Sequence, residues 1–342
     1  MDEQKNTPDP RSKLLKSEIT QMVISSSPHI NTDDTVPKIM WTVFFALLPV
    51  IISAVIFFGI QSLILIIICI ASALLTEYFI NIIKKESTTI SDGSAAITGL
   101  LLALTLPPSF TAGNCIICVI GSVFAIAVGK QIFGGLGYNI FNPALLARAF
   151  LQASFPVSMT SWVYPLTAKY ANIDSLTAAT PLGIIKFEGK ANLAINYFDM
   201  FTGNIGGSLG ETSALAIMIG GVFLLLKRYA DWRIPVSFLG SVFIIGGFFW
   251  LLEPDKYPDP LFHLLSGGLF LGAFFMATDM VTSPVTPMGS WIFGIGSGLL
   301  SIVIRIFGGI PEGVMYSILI MNAVTPLINK YTKPKIFGER MI

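Results

Sequence analysis

Few residues of this 342-residue chain are of a type and spacing that could do chemistry, and most of those lie in apolar surroundings. Cys115 and Cys118 form a C-x-x-C pair, the spacing of two thiolate metal ligands. The run around them is apolar, with no second pair and no histidine nearby, so they read as packing groups. His29 and His263 are far apart and pair with nothing close in sequence, which argues against a metal site. Arg148 lies inside ALLARAFL; a charge at the bilayer centre costs about 2.5–3.5 kcal/mol on insertion scales, so its guanidinium must face the protein interior and find an anion. Arg305 also falls within an apolar run. Asp279, beside Thr278, closes another such run, where helix capping and an ion path are both open readings. The glycines of GGLGYN do not make GxGxxG and precede no soluble βαβ unit, so no dinucleotide site is expected. In the polar stretch Asp174-Ser175-Leu176-Thr177-Ala178-Ala179-Thr180-Pro181, Asp174 and Thr177 can bond nearby backbone N–H groups as a capped turn.

The elements that position these residues are membrane helices. The chain is 53% hydrophobic and 12% charged with a mean hydropathy of +0.74, against about 25% charged in a soluble domain. A net charge of +1 offers no nucleic-acid partner, and three cysteines in apolar runs give no disulfide framework. The polar N-terminus has no apolar stretch with a cleavage site, so no signal peptide is expected. Membrane-length runs are Met40 to Phe58, Ser62 to Ile83, Gly113 to Val128, Ser213 to Leu226, Ile234 to Leu252, Leu261 to Ala277, Trp291 to Phe307 and Gly313 to Ile328. Ala95 to Leu106 and Ala144 to Phe155 are too short for a straight span, which takes about 20 residues. Each follows a capping sequence, Ser91-Asp92-Gly93-Ser94 or Asn142-Pro143, and stops at proline, which predicts broken or half helices lining a cavity.

If all ten segments cross, fifteen Lys and Arg fall on one side, against four (Lys169, Lys186, Lys190 and Lys256) on the other. Basic residues mark the cytoplasmic side, so both termini are expected there. The expected organisation is a cytoplasmic N-terminal segment (1–38), a first membrane half (39–156), an external loop (157–211), a second membrane half (212–329) and a cytoplasmic tail (330–342). An internal repeat supports two halves. QIFGGLGYNIFNPALLARA from Gln131 parallels RIFGGIPEGVMYSILIMNA from Arg305, and GLLLALT from Gly99 parallels GAFFMAT from Gly272, at nearly one offset. Five segments per half is an odd number, so the copies would run in opposite directions, as in an inverted-repeat membrane fold.

The segment from Asp174 to Thr180 resembles the flavinylation sequence of the Rnf and sodium-pumping NADH:quinone reductase families, Asp-x-x-Ser/Thr-Gly-Ala-Thr/Ser, with Ala178 in place of the usual glycine. SSSPHI from Ser25, SDGSAAITGLLLALTLPP from Ser91, GYNIFNPALLARAFL from Gly137 and TDMVTSPVTPMG from Thr278 are each similar to blocks of the D subunit of Rnf complexes, so the resemblance covers nearly the whole chain. It implies an all-α membrane fold of ten segments in two inverted halves, similar to urea transporters. It also implies FMN joined to Thr180 by a phosphoester, with Asp174, Thr177, Ala178 and Ala179 as the surrounding recognition positions, and leaves room for a second, noncovalent flavin between the halves. Arg148 would then meet a flavin phosphate or carboxylate, or form a structural salt bridge. The implied partners are the other membrane and peripheral subunits of a redox-driven H+ or Na+ pump in the bacterial inner membrane, a second flavin-bearing subunit among them, and a flavin transferase for maturation. The alternatives are the homologous B subunit of the quinone reductase, which usually has a longer N-terminal extension, and a urea-transporter-like channel, which has no use for the DSLTAAT segment.

Overall fold

Where the sequence carries long apolar runs, the chain is helical. The computed structural model describes residues 34–86, 89–109, 111–165, 179–188 and 196–334, and from Val36 onward they belong to one compact unit. Every longer regular element among the described residues is a helix. α1 (Val36–Ala46) and α2 (Leu48–Phe58) are nearly continuous, interrupted at Leu47 ahead of Pro49, which lacks an N–H to continue the ladder. Gly59, at a φ of +82°, turns the chain into α3 (Ile60–Lys84), a conformation that costs glycine nothing. α4 (Ser94–Leu104), α5 (Ala112–Ala127) and α6 (Pro143–Ser154) follow. After two short helices, α7 (Pro181–Glu188) and α8 (Tyr197–Thr202), come α9 (Ala214–Leu226), α10 (Arg233–Leu252) and α11 (Pro260–Leu265). α12 (Pro287–Phe307) and α13 (Val314–Tyr331) complete the series.

Five helices among the described residues are long and apolar enough to cross a membrane: 36–58 taken as one, α3, 112–133 taken as one, α10 and α12. Their outer faces carry Ile52, Ile56, Ile67, Phe79, Ile83, Ile244 and Leu251 in the open. An apolar exterior over helices of this length makes the chain an all-helical membrane protein.

The two short segments lie within about two residues of the expected limits. α4 is 11 residues long and every one of its residues is buried, so its open ends meet protein rather than lipid. Asp92 Oδ1 accepts from the Ser94 N–H at 2.8 Å, and Asn142 Oδ1 accepts from Ala144 and Leu145 at 3.1 and 3.3 Å. The run from Leu261 to Ala277, expected to be one continuous segment, is broken instead. α11 ends at Leu265, Gly267 turns at a φ of +65°, and the chain resumes at Leu269 with a π turn over Gly272–Met276. Continuous apolarity hid the break, because Ser266-Gly267-Gly268 is no more polar than the small-residue stretches of an unbroken helix.

Small residues set the close approaches. Gly294 and Gly298 of α12 face Ser237 and Ser241 of α10, a small-xxx-small seam that lets two membrane helices touch along their backbones. α3 packs on α4 and α5, α5 on α6, and α12 on α13; α9 lies against α1 and α2, and α13 meets α6.

Candidate functional site

Two polar regions interrupt this apolar body. α12 is 21 residues long, about 31 Å at 1.5 Å per residue; one region gathers about Arg305 in its last turn, and the other shares a cavity with Asp279, Met280 and Val281, the stretch that precedes it.

At the end where α12 stops, Thr180 begins α7. Its Oγ1 accepts from the Gly183 N–H at 3.1 Å and its carbonyl accepts from Ile184 N at 2.9 Å, so the half-buried Thr180 caps the helix, whose first residue, Pro181, has no N–H to offer. Leu182, the second residue of α7, packs with Met200, Ala214, Phe262 and Leu265. Lys186 Nζ donates to the carbonyls of Arg305 and Ile306, both at 2.9 Å, placing a cation on the negative end of α12; partial burial lowers its pKa. Between α7, the 256–258 turn and α12 lies a pocket of about 240 Å³, with Lys186, Lys256, Tyr257, His263 and Arg305 on its wall. Both ring nitrogens of His263 and Nε of Arg305 are buried without a partner.

Deeper at this end is an array of four charges. Arg148 Nη2 donates to Glu312 Oε2 at 2.7 Å, and its Nη1 lies 3.9 Å from Glu211 Oε1. Arg305 donates from Nη1 to the His263 carbonyl at 2.6 Å and from Nη2 to the Ser266 carbonyl at 2.8 Å. Arg148, Arg305 and Glu211 are almost wholly buried, and the Glu312 side chain is 19% exposed. The array gives Arg148 the anion its position demands, and it ties α6 to the start of α13.

At the opposite end, Glu77 of α3 and Lys130 form a buried ion pair at 2.8 Å. Thr89 donates to the same Glu77 oxygen at 2.6 Å, and Lys130 also bonds Ser94 at the head of α4. Lys84 Nζ meets the carbonyl and the side-chain oxygen of Gln131, at 2.8 and 3.0 Å. A neighbouring cavity is lined from the first part of the chain by Lys130, Asn139 and Asn142, and from the second by Phe275, Thr278 and Asp279. Asp279 holds its own turn, accepting from Val281 N at 3.4 Å and Thr282 Oγ1 at 3.2 Å.

Of the residues singled out in the sequence, Asp174, Thr177 and Ala178 lie outside the described residues, as does His29. Ala179 is exposed beside Thr180. Cys115 and Cys118 sit one turn apart on α5, Cys118 buried in the apolar core, and no group of three or more metal-ligating side chains occurs among the described residues. Glu77, Lys130, Glu211 and Glu312 were missed. For Glu77 a signal existed, because a carboxylate inside the apolar run LLTEYFI needs a partner as much as Arg148 does.

Comparison with known proteins agrees with this architecture. The chain is 48% identical to the D subunit of the proton-translocating ferredoxin:NAD(+) oxidoreductase complex of Clostridium ljungdahlii, over 93% of this chain and 96% of that protein. It is equally similar, at 48%, to the D subunit of the Na(+)-translocating ferredoxin:NAD(+) oxidoreductase complex of Acetobacterium woodii, over 94% and 96%. The D subunit of the ion-translocating oxidoreductase complex of Escherichia coli is 37% identical over 93% and 98%. Residues 23–338 match the NQR2, RnfD, RnfE family as a whole. With nearly its full length in register with these proteins, the chain belongs to the NQR2, RnfD, RnfE family.

Proposed function

We propose that the chain is the D subunit of an ion-translocating ferredoxin:NAD(+) oxidoreductase complex and that it carries FMN on Thr180 through a phosphoester. The observation that carries the flavin reading is Thr180 itself, the last residue of DSLTAAT and the cap of α7. The positive end of a helix dipole favours a phosphate held on the capping hydroxyl. The adjacent pocket offers a matching wall, with apolar Leu182, Ile185 and Phe262 against the cationic Lys186, Lys256 and Arg305. Apolar walls with a few convergent polar groups suit a flavin ring. FMN bound there would supply one- and two-electron transfer. The chain's part is to tether the group, present it at one membrane face and surround it with positive charge. Arg148 already has two carboxylates about it, so the reading rests on Thr180.

Ten segments in two inverted halves remain the arrangement that best suits this function. The order of packing supports it, since α3–α4, α3–α5 and α5–α6 in the first half parallel α10–α11, α10–α12 and α12–α13 in the second, and the third segment is a short helix in the first half and a broken one in the second. In that orientation Thr180 faces outward, both termini are cytoplasmic in a bacterial inner membrane, and the cavity between Asn139, Asn142 and Asp279 opens inward as the place for a second, noncovalent flavin. Electrons would pass between Thr180 and another flavin-bearing subunit, with NAD and ferredoxin handled elsewhere in the complex and a flavin transferase loading the chain. Two relatives of equal identity are D subunits of a proton-translocating and a Na(+)-translocating complex respectively, so the likeness leaves both ions open.

In-gel flavin fluorescence of the denatured chain, from cells containing the transferase, tests the assignment. Wild type should fluoresce, Thr180→Val should be dark, and Thr177→Val should weaken the signal without abolishing it. A fluorescent Thr180→Val places the flavin elsewhere; a dark wild type favours the flavin-free channel.

A further inference from the structure

We propose that Glu211 is a proton-exchange site, a carboxyl that takes up and releases H+ through a small hydrated space at the Arg305 end of the molecule. Glu211 ends a segment that folds back into the protein, where Gly210 N donates to the Leu104 carbonyl at 2.7 Å and Leu209 N to that of Leu106 at 3.1 Å. Its side chain is only 8% exposed. Glu211 Oε1 packs on the Gly268 backbone, where an added Cβ would lie 2.6 Å from it.

The groups around this carboxylate are short of partners. Arg148 Nη1 stands 3.9 Å away, beyond hydrogen-bond distance, and has no other partner. Ser208 Oγ, Thr212 Oγ1 and Ser266 Oγ are also buried, Ser208 turned to the Glu211 carboxylate and the other two unpartnered. They belong to the same pieces of chain: Ser208 accepts the Glu211 N–H on its carbonyl at 3.3 Å, Thr212 is next in sequence, and Ser266 precedes the glycines on which Glu211 rests. Buried polar atoms are otherwise almost always bonded, and a gathering of unbonded donors and acceptors about one carboxylate is the setting of ordered water.

Charge identifies the exchanged species. The titratable and charged groups around Glu211 are Arg148 from α6, Glu312 from the start of α13, Arg305 from α12 and His263 from α11, with Tyr316 of α13 beside Arg148. Arg148 Nη1 at 3.9 Å and the nearby Arg305 turn guanidinium groups toward this carboxylate, which leaves no shell of several oxygen ligands for a metal ion, whereas a proton needs one carboxylate oxygen. Glu312 makes a direct 2.7 Å bond to Arg148. Glu211 lacks such a bond to a guanidinium, which leaves its buried carboxylate open to take up a proton. The step is COO⁻ + H⁺ → COOH, with water as carrier and no electron moved, and it holds whether or not Thr180 carries flavin.

The test is the infrared difference spectrum of the full chain in nanodiscs between acidic and alkaline buffer. A carboxylic C=O band that shifts down in D₂O should be present in wild type and in Glu312→Gln and lost in Glu211→Gln. Its persistence in Glu211→Gln, or its absence from wild type, overturns the proposal. Labelling of wild type with dicyclohexylcarbodiimide, which modifies protonated carboxyls in apolar surroundings, needs no variant. Peptide mapping should find the adduct on Glu211, formed about tenfold more slowly per pH unit above the carboxyl's midpoint. An adduct on Glu312 instead, no adduct on Glu211, or a rate indifferent to pH, refutes it.

Discussion

Replacing Arg148 by methionine keeps most of the side-chain volume and removes the charge on which two carboxylates converge. The Arg148, Glu211 and Glu312 side chains are 4%, 8% and 19% exposed, so water reaches the survivors poorly. Removing one member of a buried pair costs about 3–5 kcal/mol, because the partner stays behind uncompensated. Here Glu312 loses its 2.7 Å bond and Glu211 its nearest cation, while Arg305 remains committed to the His263 and Ser266 carbonyls. That loss is a large share of a total stability of about 5–15 kcal/mol. Unfolding of the purified chain in mixed detergent–SDS micelles, followed by tryptophan fluorescence, should register it. The double variant Arg148→Met/Glu312→Gln should be less damaged than the sum of the two singles, with a coupling of about 2 kcal/mol or more. An Arg148→Met loss below about 1 kcal/mol, or strict additivity with Glu312→Gln, would show that the array contributes little and that Arg148 is tolerated for another reason.

Other expectations follow from single contacts. A Cβ at Gly220 would overlap the Ala46 carbonyl, whereas one at Gly240 meets nothing; Gly220→Ala should lose about 1–3 kcal/mol in the same unfolding assay and Gly240→Ala none. In a background lacking the three native cysteines, Asp255→Cys should react with an impermeant maleimide added to whole cells and Lys227→Cys should not. The reverse pattern would invert the proposed orientation and with it the outward placement of Thr180. Burial and the 2.7 Å bond to Asp259 push the Tyr197 phenol up to about 12. Its folded pKa is raised, so its contribution to stability is present below about pH 10 and lost as pH rises through about 12, and Tyr197→Phe should remove one late phenolate from the ultraviolet titration.

How much of this was legible in the sequence depended on whether the governing force was local. The ends of α4 and α6 could be read because capping and proline act within a few residues: Asp92 and Asn142 bond N–H groups two or three positions on. The break at Gly267 could not, since it depends on close neighbours. A Cβ there would lie 2.9 Å from Leu182 and 3.4 Å from Arg305 Nη2, two side chains about 85 and 38 positions away in the chain. Arg148 was legible as a charge in need of an anion, because the cost of burying it is a property of the residue alone. Its partners were not, because Glu211 and Glu312 lie 63 and 164 residues further on and neither interrupts an apolar run. Only folding brings them to α6. Thr180 stands between these cases. Its hydroxyl is visible in the motif, but its place at the head of α7, the helix whose Leu182, Ile185 and Lys186 line a pocket with Lys256 and Arg305, is a product of the fold. Nothing in DSLTAAT requires three basic residues from three separate elements to gather on one pocket wall, so that part of the site could come only from the fold.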